Sequence, residues 1–166
     1  MRLSSRTRYG VRALFDLAYH GGGRAVLARD VAGRQDIPLR FLEQVFLDLK
    51  RAGIVSARRG RGGGYFLAKP ATEVRLGDVL RAVEGPLDFG RCIHSHDGEM
   101  GPDQHVTGRC VTGQIWQQTG DLLRAHLDSI TVNDLCDQAS ELGIVRAVAL
   151  PGADAAATGA GPEARA

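Results

Sequence analysis

The side chains best suited to bind a metal are concentrated in one stretch of the chain. Residues 87–109 lack helical periodicity, and this stretch and the residue after it carry Cys92, His94, His96, His105 and Cys110. Cys92-x-His94 and His105-x4-Cys110 offer two sulfur and two nitrogen donors, a set that tetrahedral zinc accepts readily. Without a metal, the two thiols could form a redox pair, and histidines in a polar loop are ordinarily just solvated. So long a segment in a small protein is typical of function or of disorder.

Arginine supplies the second kind of chemistry, in the first half of the chain. Residues 1–69 carry 14 Lys and Arg against 5 Asp and Glu, a net charge of +9, whereas residues 70–166 carry a net charge of −7. A folded segment this basic is typical of a surface that binds a polyanion. Phosphate neutralisation supplies most of the sequence-independent affinity for DNA. The charge pattern therefore favours a nucleic-acid partner.

The elements that must position these charges are three helices and a hairpin. Apolar spacing predicts helices at about 5–20, 28–35 and 38–52. The runs Ile54–Ala57 and Tyr65–Ala68 predict strands that flank an Arg/Gly loop. Together they form a winged helix-turn-helix, in which the second helix of the pair enters the major groove.

The third helix predicts both a core and a reading face. Its buried stripe is Leu42, Val45, Phe46 and Leu49, at i, i+3, i+4 and i+7. The opposite face offers Arg40, Glu43 and Gln44, which can bind guanine, cytosine and adenine edges. Arg58, Arg59 and Arg61 of the wing are predicted to contact phosphates or the minor groove. The alternative for all six residues is an ordinary solvated surface.

The rest of the chain predicts a linker and further helices. A helix is expected at about 75–84, a long one at about 111–129, and a capping-box restart at Thr131 and Asp134. From Pro151 the Ala/Gly-rich composition predicts disorder. The expected domains are 1–70 (winged helix-turn-helix), 71–110 (linker helix and cysteine-containing loop), 111–145 (dimerisation helices) and 146–166 (tail). The predicted fold class is mostly α with a small β-hairpin wing.

Composition excludes several other classes of protein. No apolar run reaches 18 residues and the N-terminus lacks an apolar signal sequence, so a cytoplasmic protein is expected. Three cysteines are too few for a disulfide framework, and Cys136 is expected to be a small buried hydrophobe. No nucleophile–base pair, nucleotide motif or pair of carboxylates indicates an enzyme.

Six segments of the chain resemble the Rrf2 family of bacterial winged-helix regulators, which includes IscR-like, NsrR-like and RsrR-like iron–sulfur sensors. They are MRLSSRTRYGVRALFDLA, PLRFLEQVFLDLKRAGIV, RRGRGGGYFLAKP, LGDVLRAVEGPL, CVTGQIW and HLDSITVNDL, and they span about residues 1–137. The resemblance implies a homodimer that pairs through the long helix and binds a pseudo-palindromic DNA operator. It also implies an iron–sulfur cluster in the loop before that helix.

The chain departs from the family's cluster-binding pattern at three places. Cys92 and Cys110 match the family's first and last cysteines, but the middle cysteine is missing, Gly113 replaces a histidine, and Arg8 replaces a carboxylate. Two thiolates with histidine ligands could still hold a two-iron two-sulfur cluster. His94, His96 and His105 are then the candidate ligands, and Glu99 or a group from the partner subunit is a further one.

The resulting prediction is a homodimeric DNA-binding regulator that senses iron–sulfur, redox or nitrosative status. The alternatives are a zinc-ordered or thiol-redox regulator without a cluster, and a winged-helix module that docks on another protein.

Overall fold

The structure is a computed structural model that describes residues 4–86 and 111–147, the side chains of 111–113 excepted. Within these ranges it contains α1 (Ser5–Tyr19), α2 (Ala28–Gln35), α3 (Leu39–Arg51), β1 (Val55–Arg58), β2 (Gly64–Leu67), a 3₁₀ turn (Ala71–Glu73), α4 (Leu76–Glu84), α5 (Val111–Ser129) and α6 (Val132–Glu141). Helices with one small antiparallel hairpin are the predicted fold class, which is confirmed. The helix bounds lie within one residue of those expected.

The hydrophobic core lies beneath α1, α3 and α4. The predicted stripe of α3 is fully buried, since Leu42, Val45, Phe46 and Leu49 are all 0% exposed. Burying a side chain of this size contributes roughly 1.5–3 kcal/mol. Other buried members of the same cluster come from α1, α2, α4 and α6: Ala13, Leu14, Leu17, Val31, Val79, Val83 and Val132. The core therefore includes residues on both sides of residue 70. The boundary between two domains at that residue stays a prediction.

The start of α1 is tied to the end of α4. Ser4 caps α1 by accepting a hydrogen bond from the Thr7 backbone N–H (3.3 Å). The Glu84 carboxylate accepts bonds from the Ser4 backbone N–H (3.2 Å) and from the Thr7 hydroxyl. Hydrogen bonding from Ser4 and Thr7 lowers the pKa of Glu84 below its ordinary value. α4 is thus held against the helix that carries the rest of the core.

A buried carboxylate links α1 to α2. Asp16 is 0% exposed, and it accepts bonds from Arg34 Nε (3.0 Å), Arg34 Nη2 (2.6 Å) and Gln35 Nε2 (3.0 Å). The bidentate guanidinium–carboxylate geometry is the strongest form of such a pair. The hydrogen bond to Asp16 raises the pKa of Arg34. This Asp16–Arg34–Gln35 cluster fixes the relative position of the first two helices.

The wing is a hairpin fastened at its base. Val55 pairs with Leu67 and Arg58 with Gly64, so each strand lies one residue from the position predicted for it. An antiparallel bridge between Val26 and Tyr65 adds a third extended segment beside the hairpin. The two residues exchange backbone N–H···O bonds of 2.8 Å in both directions. The Tyr65 ring also stacks on Phe46 of α3 at 4.3 Å between centroids. Strand β2 is therefore held by both the core and the segment before α2.

The long helix α5 is fastened to the winged helix at its C-terminal end. Arg81 Nη2 donates to Asp128 Oδ1 (2.7 Å), and Arg75 Nη1 donates to the Asp128 carbonyl (2.5 Å). A Cβ at Gly77 would collide with the same carboxylate, so α4 and α5 approach closely there. The backbone N–H of Leu76 donates to Ile130 O at 2.9 Å. These contacts form the α4–α5 junction.

Helix α6 begins and packs as the sequence indicates. The capping box is complete, with Thr131 and Asp134 each accepting from the other's backbone N–H. The bond from the Thr131 N–H lowers the pKa of Asp134. Cys136 is buried against α1 beside Tyr19, which confirms the expectation of a buried hydrophobe.

Candidate nucleic-acid interface

Helix α3 presents the three predicted reading residues on one exposed face. Arg40, Glu43 and Gln44 are all exposed, and none has a hydrogen-bond or ion-pair partner within residues 4–86 and 111–147. Their donors and acceptors are therefore available to an external ligand. The same face continues with Leu47 and Lys50, also exposed.

The orientation of α3 is set by contacts on its other sides. Its apolar stripe is buried in the core, and Asp48 near its C-terminal end forms ion pairs with Arg6 of α1 and with Arg51 (3.5 Å). The turn before α3 uses Asp36, which takes a left-handed conformation (φ 48°) and caps the end of α2. The helix begins at Leu39, with Pro38 as its N-cap, one residue later than predicted. The exposed face is thus presented by a rigid helix–turn–helix.

The three wing arginines lie at or beside the tip of the hairpin, and all are exposed. Arg58 Nη2 donates to the Gly62 carbonyl (3.1 Å), which closes the loop over the tip. Arg59 has no hydrogen-bond or ion-pair partner in the described part of the chain. Guanidinium groups on a narrow hairpin can reach phosphates or enter a minor groove. Their role in DNA binding remains a prediction.

The predicted metal-binding residues fall outside the described ranges. Cys92, His94, His96, His105 and Cys110 all belong to residues 87–110. Among the described residues, no three His, Cys, Asp or Glu side chains converge on a point where a metal ion could bind.

Two of the three positions at which the resemblance implies a ligand that this chain lacks do lie in described elements. Arg8 is exposed on α1 and its Nη2 donates to Ser5 Oγ (3.3 Å). Gly113 lies in the first turn of α5. Neither residue can supply a side-chain ligand to a metal, because a guanidinium has no acceptor and glycine has no side chain.

Sequence reasoning missed the cluster that sets the helix–turn–helix geometry. The signal was present: Asp16 lies between the buried Leu14 and Leu17, at a position where the helical period requires an inward side chain. A buried carboxylate must have a partner, but the sequence does not show which polar residue of α2 supplies it.

No helix among the described residues is long and apolar enough to cross a bilayer.

Comparison with known proteins identifies a family over most of the chain. Residues 3–138 match the profile of Rrf2, described as an iron-dependent transcriptional regulator. The HTH-type transcriptional regulator IscR of Pectobacterium carotovorum is 38% identical over 144 residues, which cover 87% of this chain and 84% of that protein. IscR of Escherichia coli K12 is 37% identical over the same length, covering 87% and 85%.

Solved structures of similar proteins have the same fold. T. potens IscR superposes with a TM-score of 0.69 at 32% identity, covering 89% of this chain and 94% of that one. CymR, the global cysteine regulator of B. subtilis, superposes with a TM-score of 0.66 at 27% identity, covering 83% and 98%. All four relatives are regulators, which confirms the prediction that this chain is not an enzyme.

Proposed function

The chain belongs to the Rrf2 family of transcriptional regulators, and from that membership we propose that it acts in the cytoplasm as a homodimer on a pseudo-palindromic DNA operator. The observation that carries the proposal is the exposed face of α3, where Arg40, Glu43 and Gln44 have no partner within the described ranges. This face lies within residues 1–69, the segment that carries the net charge of +9.

In the proposed binding mode, helix α3 and the wing contact different parts of the DNA. Arg40, Glu43 and Gln44 reach base edges in the major groove, where guanidinium, carboxylate and amide groups distinguish guanine, cytosine and adenine. Arg58, Arg59 and Arg61 bind phosphates or the adjacent minor groove. Contacts to phosphates position the protein, whereas contacts to bases select the sequence.

A binding experiment separates this proposal from a protein-docking module. Genomic fragments are screened by mobility shift, and the tightest fragment is compared with a random duplex of equal length over a range of salt. A DNA-binding regulator selects particular fragments and binds them roughly 10³-fold or more tightly than random DNA. No preference for any fragment, even at low salt, would favour the docking module.

Replacing Arg59 with alanine is expected to weaken binding to operator and random DNA alike. A lost phosphate contact reduces the number of counterions released, so the slope of log K against log salt should become shallower by about 1. Fluorescence anisotropy at several salt concentrations measures both quantities. Arg29→Ala removes an exposed arginine of α2 and serves as a charge-matched comparison. If Arg59→Ala left the slope of log K against log salt unchanged, phosphate binding by Arg59 at the wing tip would be contradicted.

Replacing Gln44 with alanine is expected to alter sequence preference more than overall affinity. A bidentate contact to a base contributes about 1–3 kcal/mol of discrimination at one base pair. The variant should therefore tolerate substitution of that pair while its binding to random DNA is retained. A library of operators with single base-pair changes measures this, and an unchanged preference at every position would count against Gln44 as a reading residue.

Dimerisation is proposed to use the exposed apolar side of α5. Ile115, Trp116 and Leu122 are 58%, 51% and 73% exposed in the single chain. So many large apolar side chains on one helix are typical of an association surface. Pairing about a two-fold axis would bury the same three side chains in each of the two subunits.

Replacing Leu122 with lysine is expected to raise the dimer dissociation constant at least 100-fold. The change removes apolar burial from both subunits and places two charges in the interface, and every tenfold corresponds to about 1.4 kcal/mol. Sedimentation velocity over a concentration series measures the shift. Gln117→Lys introduces the same charge about 140° around the helix and should dimerise normally. Equal dissociation constants for the two variants would remove Leu122 from the interface.

We propose that residues 87–110 bind the sensing group. Cys92 and Cys110 would supply two thiolates to a two-iron two-sulfur cluster, with His94, His96 or His105 as further ligands, a donor set compatible with such clusters. When bound, the cluster supplies a group that responds to oxidants and to nitric oxide. Arg8 and Gly113 stand where carboxylate and histidine ligands would be expected, so this chain must complete its ligand set from other residues.

The sensing proposal is tested by anaerobic purification with an absorption spectrum and quantitation of iron, sulfide and zinc. Two iron and two sulfide per chain, lost in Cys92→Ser and retained in Cys136→Ser, would support the cluster. One zinc per chain would support the zinc-ordered alternative. Absence of all three would leave the thiol-redox regulator and overturn the cluster.

A further inference from the structure

A cleft of about 430 Å³ lies between three parts of the fold that the DNA-reading face does not include. Its walls come from the C-terminal half of α1, the base of the wing hairpin and helix α6, and the segment after α6 closes one side. The wing contributes Phe66 and Leu67, the strand end that runs into the core, and none of the tip arginines. The cleft is therefore separate from both proposed DNA contacts.

Three cations line this cleft, and no acidic side chain does. Arg24, Lys69 and Arg146 are among its lining residues, and all three are exposed. Neither Arg24 nor Lys69 has a hydrogen-bond or ion-pair partner for its side chain in the portion of the chain that the structure describes. The Arg146 guanidinium lies over the Tyr19 ring, 4.8 Å from its centroid, which fixes its position. Three cations around one concave surface create a local field that attracts an anion.

The floor of the cleft is apolar. Leu17 of α1 and Phe66 and Leu67 of β2 contribute to it, together with the thiol of Cys136. Burial raises the pKa of the Cys136 thiol, so this group is the neutral SH form, not a reactive thiolate. An apolar floor beneath a few converging polar groups is the usual composition of a small-molecule site, and the volume lies within the usual range.

We propose that this cleft binds a small organic anion with a carboxylate head and an apolar body. The carboxylate lies between Arg24 and Lys69, since guanidinium and ammonium groups are the ordinary partners of carboxylates. The body lies on Leu17, Phe66 and Leu67. Because the walls belong to both the wing and α6, an occupant contacts the DNA-binding hairpin and the helix that follows the dimerisation helix. The effect on operator affinity rests on the proposed function, whereas the binding site itself does not.

The experiment uses the full-length chain and three probe anions of increasing length: benzoate, phenylacetate and hexanoate. Each is compared with its uncharged amide by following the backbone amide resonances of Arg24, Leu67, Lys69 and Cys136 in ¹⁵N-labelled protein. At roughly 20 mM, well above the millimolar Kd expected of ligands this small, at least one carboxylate should shift these signals in a saturable manner. Its amide should bind at least tenfold more weakly.

Two double variants test the role of the cations. Arg24→Gln/Lys69→Gln should weaken carboxylate binding at least tenfold, whereas Arg29→Gln/Lys50→Gln, which removes the same two charges from outside the cleft, should leave it unchanged. No saturable shift with any probe, equal binding of the amides, or equal binding to both double variants would overturn the proposal. A loss of DNA affinity in Arg24→Gln/Lys69→Gln without added carboxylate would overturn the separation of the cleft from the DNA interface, because the two cations would then belong to both. The resonance shifts are measured without DNA, so they remain decisive if the chain binds no operator.

Discussion

Replacing Arg34 with methionine is expected to lower the free energy of unfolding by about 2–3 kcal/mol, less than for a fully buried pair because the Arg34 side chain is 30% exposed. The substitution keeps most of the apolar stem and removes both N–H groups that bind Asp16. Asp16 is fully buried, so it would retain only the bond from Gln35. An uncompensated buried carboxylate is among the most destabilising defects that a single change can create.

Urea unfolding followed by circular dichroism measures this effect at a fixed protein concentration, since the stability of a self-associating protein depends on concentration. Arg29→Met is the matched control, because Arg29 is on the same helix with its side chain 76% exposed. It should change stability by no more than about 0.5 kcal/mol. The double variant Asp16→Leu/Arg34→Met should recover most of the loss, since an apolar pair of similar volume often replaces a buried ion pair without cost. An Arg34→Met variant as stable as Arg29→Met would show that the pair contributes nothing.

Replacing Gly64 with alanine is expected to lower stability by about 3 kcal/mol and to weaken operator binding at the same time. Gly64 has φ +143°, and a Cβ there would lie 2.4 Å from the Val26 carbonyl oxygen and 2.6 Å from its carbon. Backbone atoms held by the Val26–Tyr65 bridge cannot move aside without breaking that bridge, and strained conformations cost about 1–3 kcal/mol on their own. Because β2 carries one side of the wing, the arginine tip should be displaced.

Gly62→Ala provides the comparison within the same hairpin. Gly62 also has a positive φ of +71°, but nothing lies within 4 Å of its Cβ position. Its cost should therefore be limited to the conformational term, about 1–2 kcal/mol. Thermal unfolding and operator titration of both variants distinguish the effect of the Cβ contact with Val26 from the effect of a positive φ alone. If Gly62→Ala were as damaging as Gly64→Ala, contact with Val26 would not be the cause.

Local patterns in the sequence predict the helices because each has a strong signal within itself. The i, i+3, i+4, i+7 stripe of α3 allows one buried face only, and its four members are all fully buried. Thr131 and Asp134 specify the start of α6 through a capping box that needs no distant partner. The strands lie one residue from their predicted positions, because their bounds are set by the register in which the two strands pair, from Val55–Leu67 to Arg58–Gly64.

Contacts between distant segments could not be predicted in this way. The Asp16–Arg34 pair and the Arg81–Asp128 pair join residues 18 and 47 positions apart, and no periodicity identifies such partners. The cleft depends on α1, β2 and α6 meeting, which is a property of the fold and not of any segment. The exposed reading face of α3 was predictable, because burial of one side of an amphipathic helix exposes the other.

The α4–α5 junction holds the long helix at Asp128, near its C-terminal end, so any tilt of α5 relative to α4 is a rotation about that point. Val111 lies 17 residues from Asp128, roughly 26 Å along α5, so a tilt of about 5° about that point moves the Val111 end by about 2.2 Å. A motion of that size at the far end becomes a displacement of only tenths of an ångström among the side chains next to Asp128. Because α5 is one continuous helix held at Asp128, a displacement of its Val111 end is passed to α4 as a rotation about that contact and not as a translation along the helix.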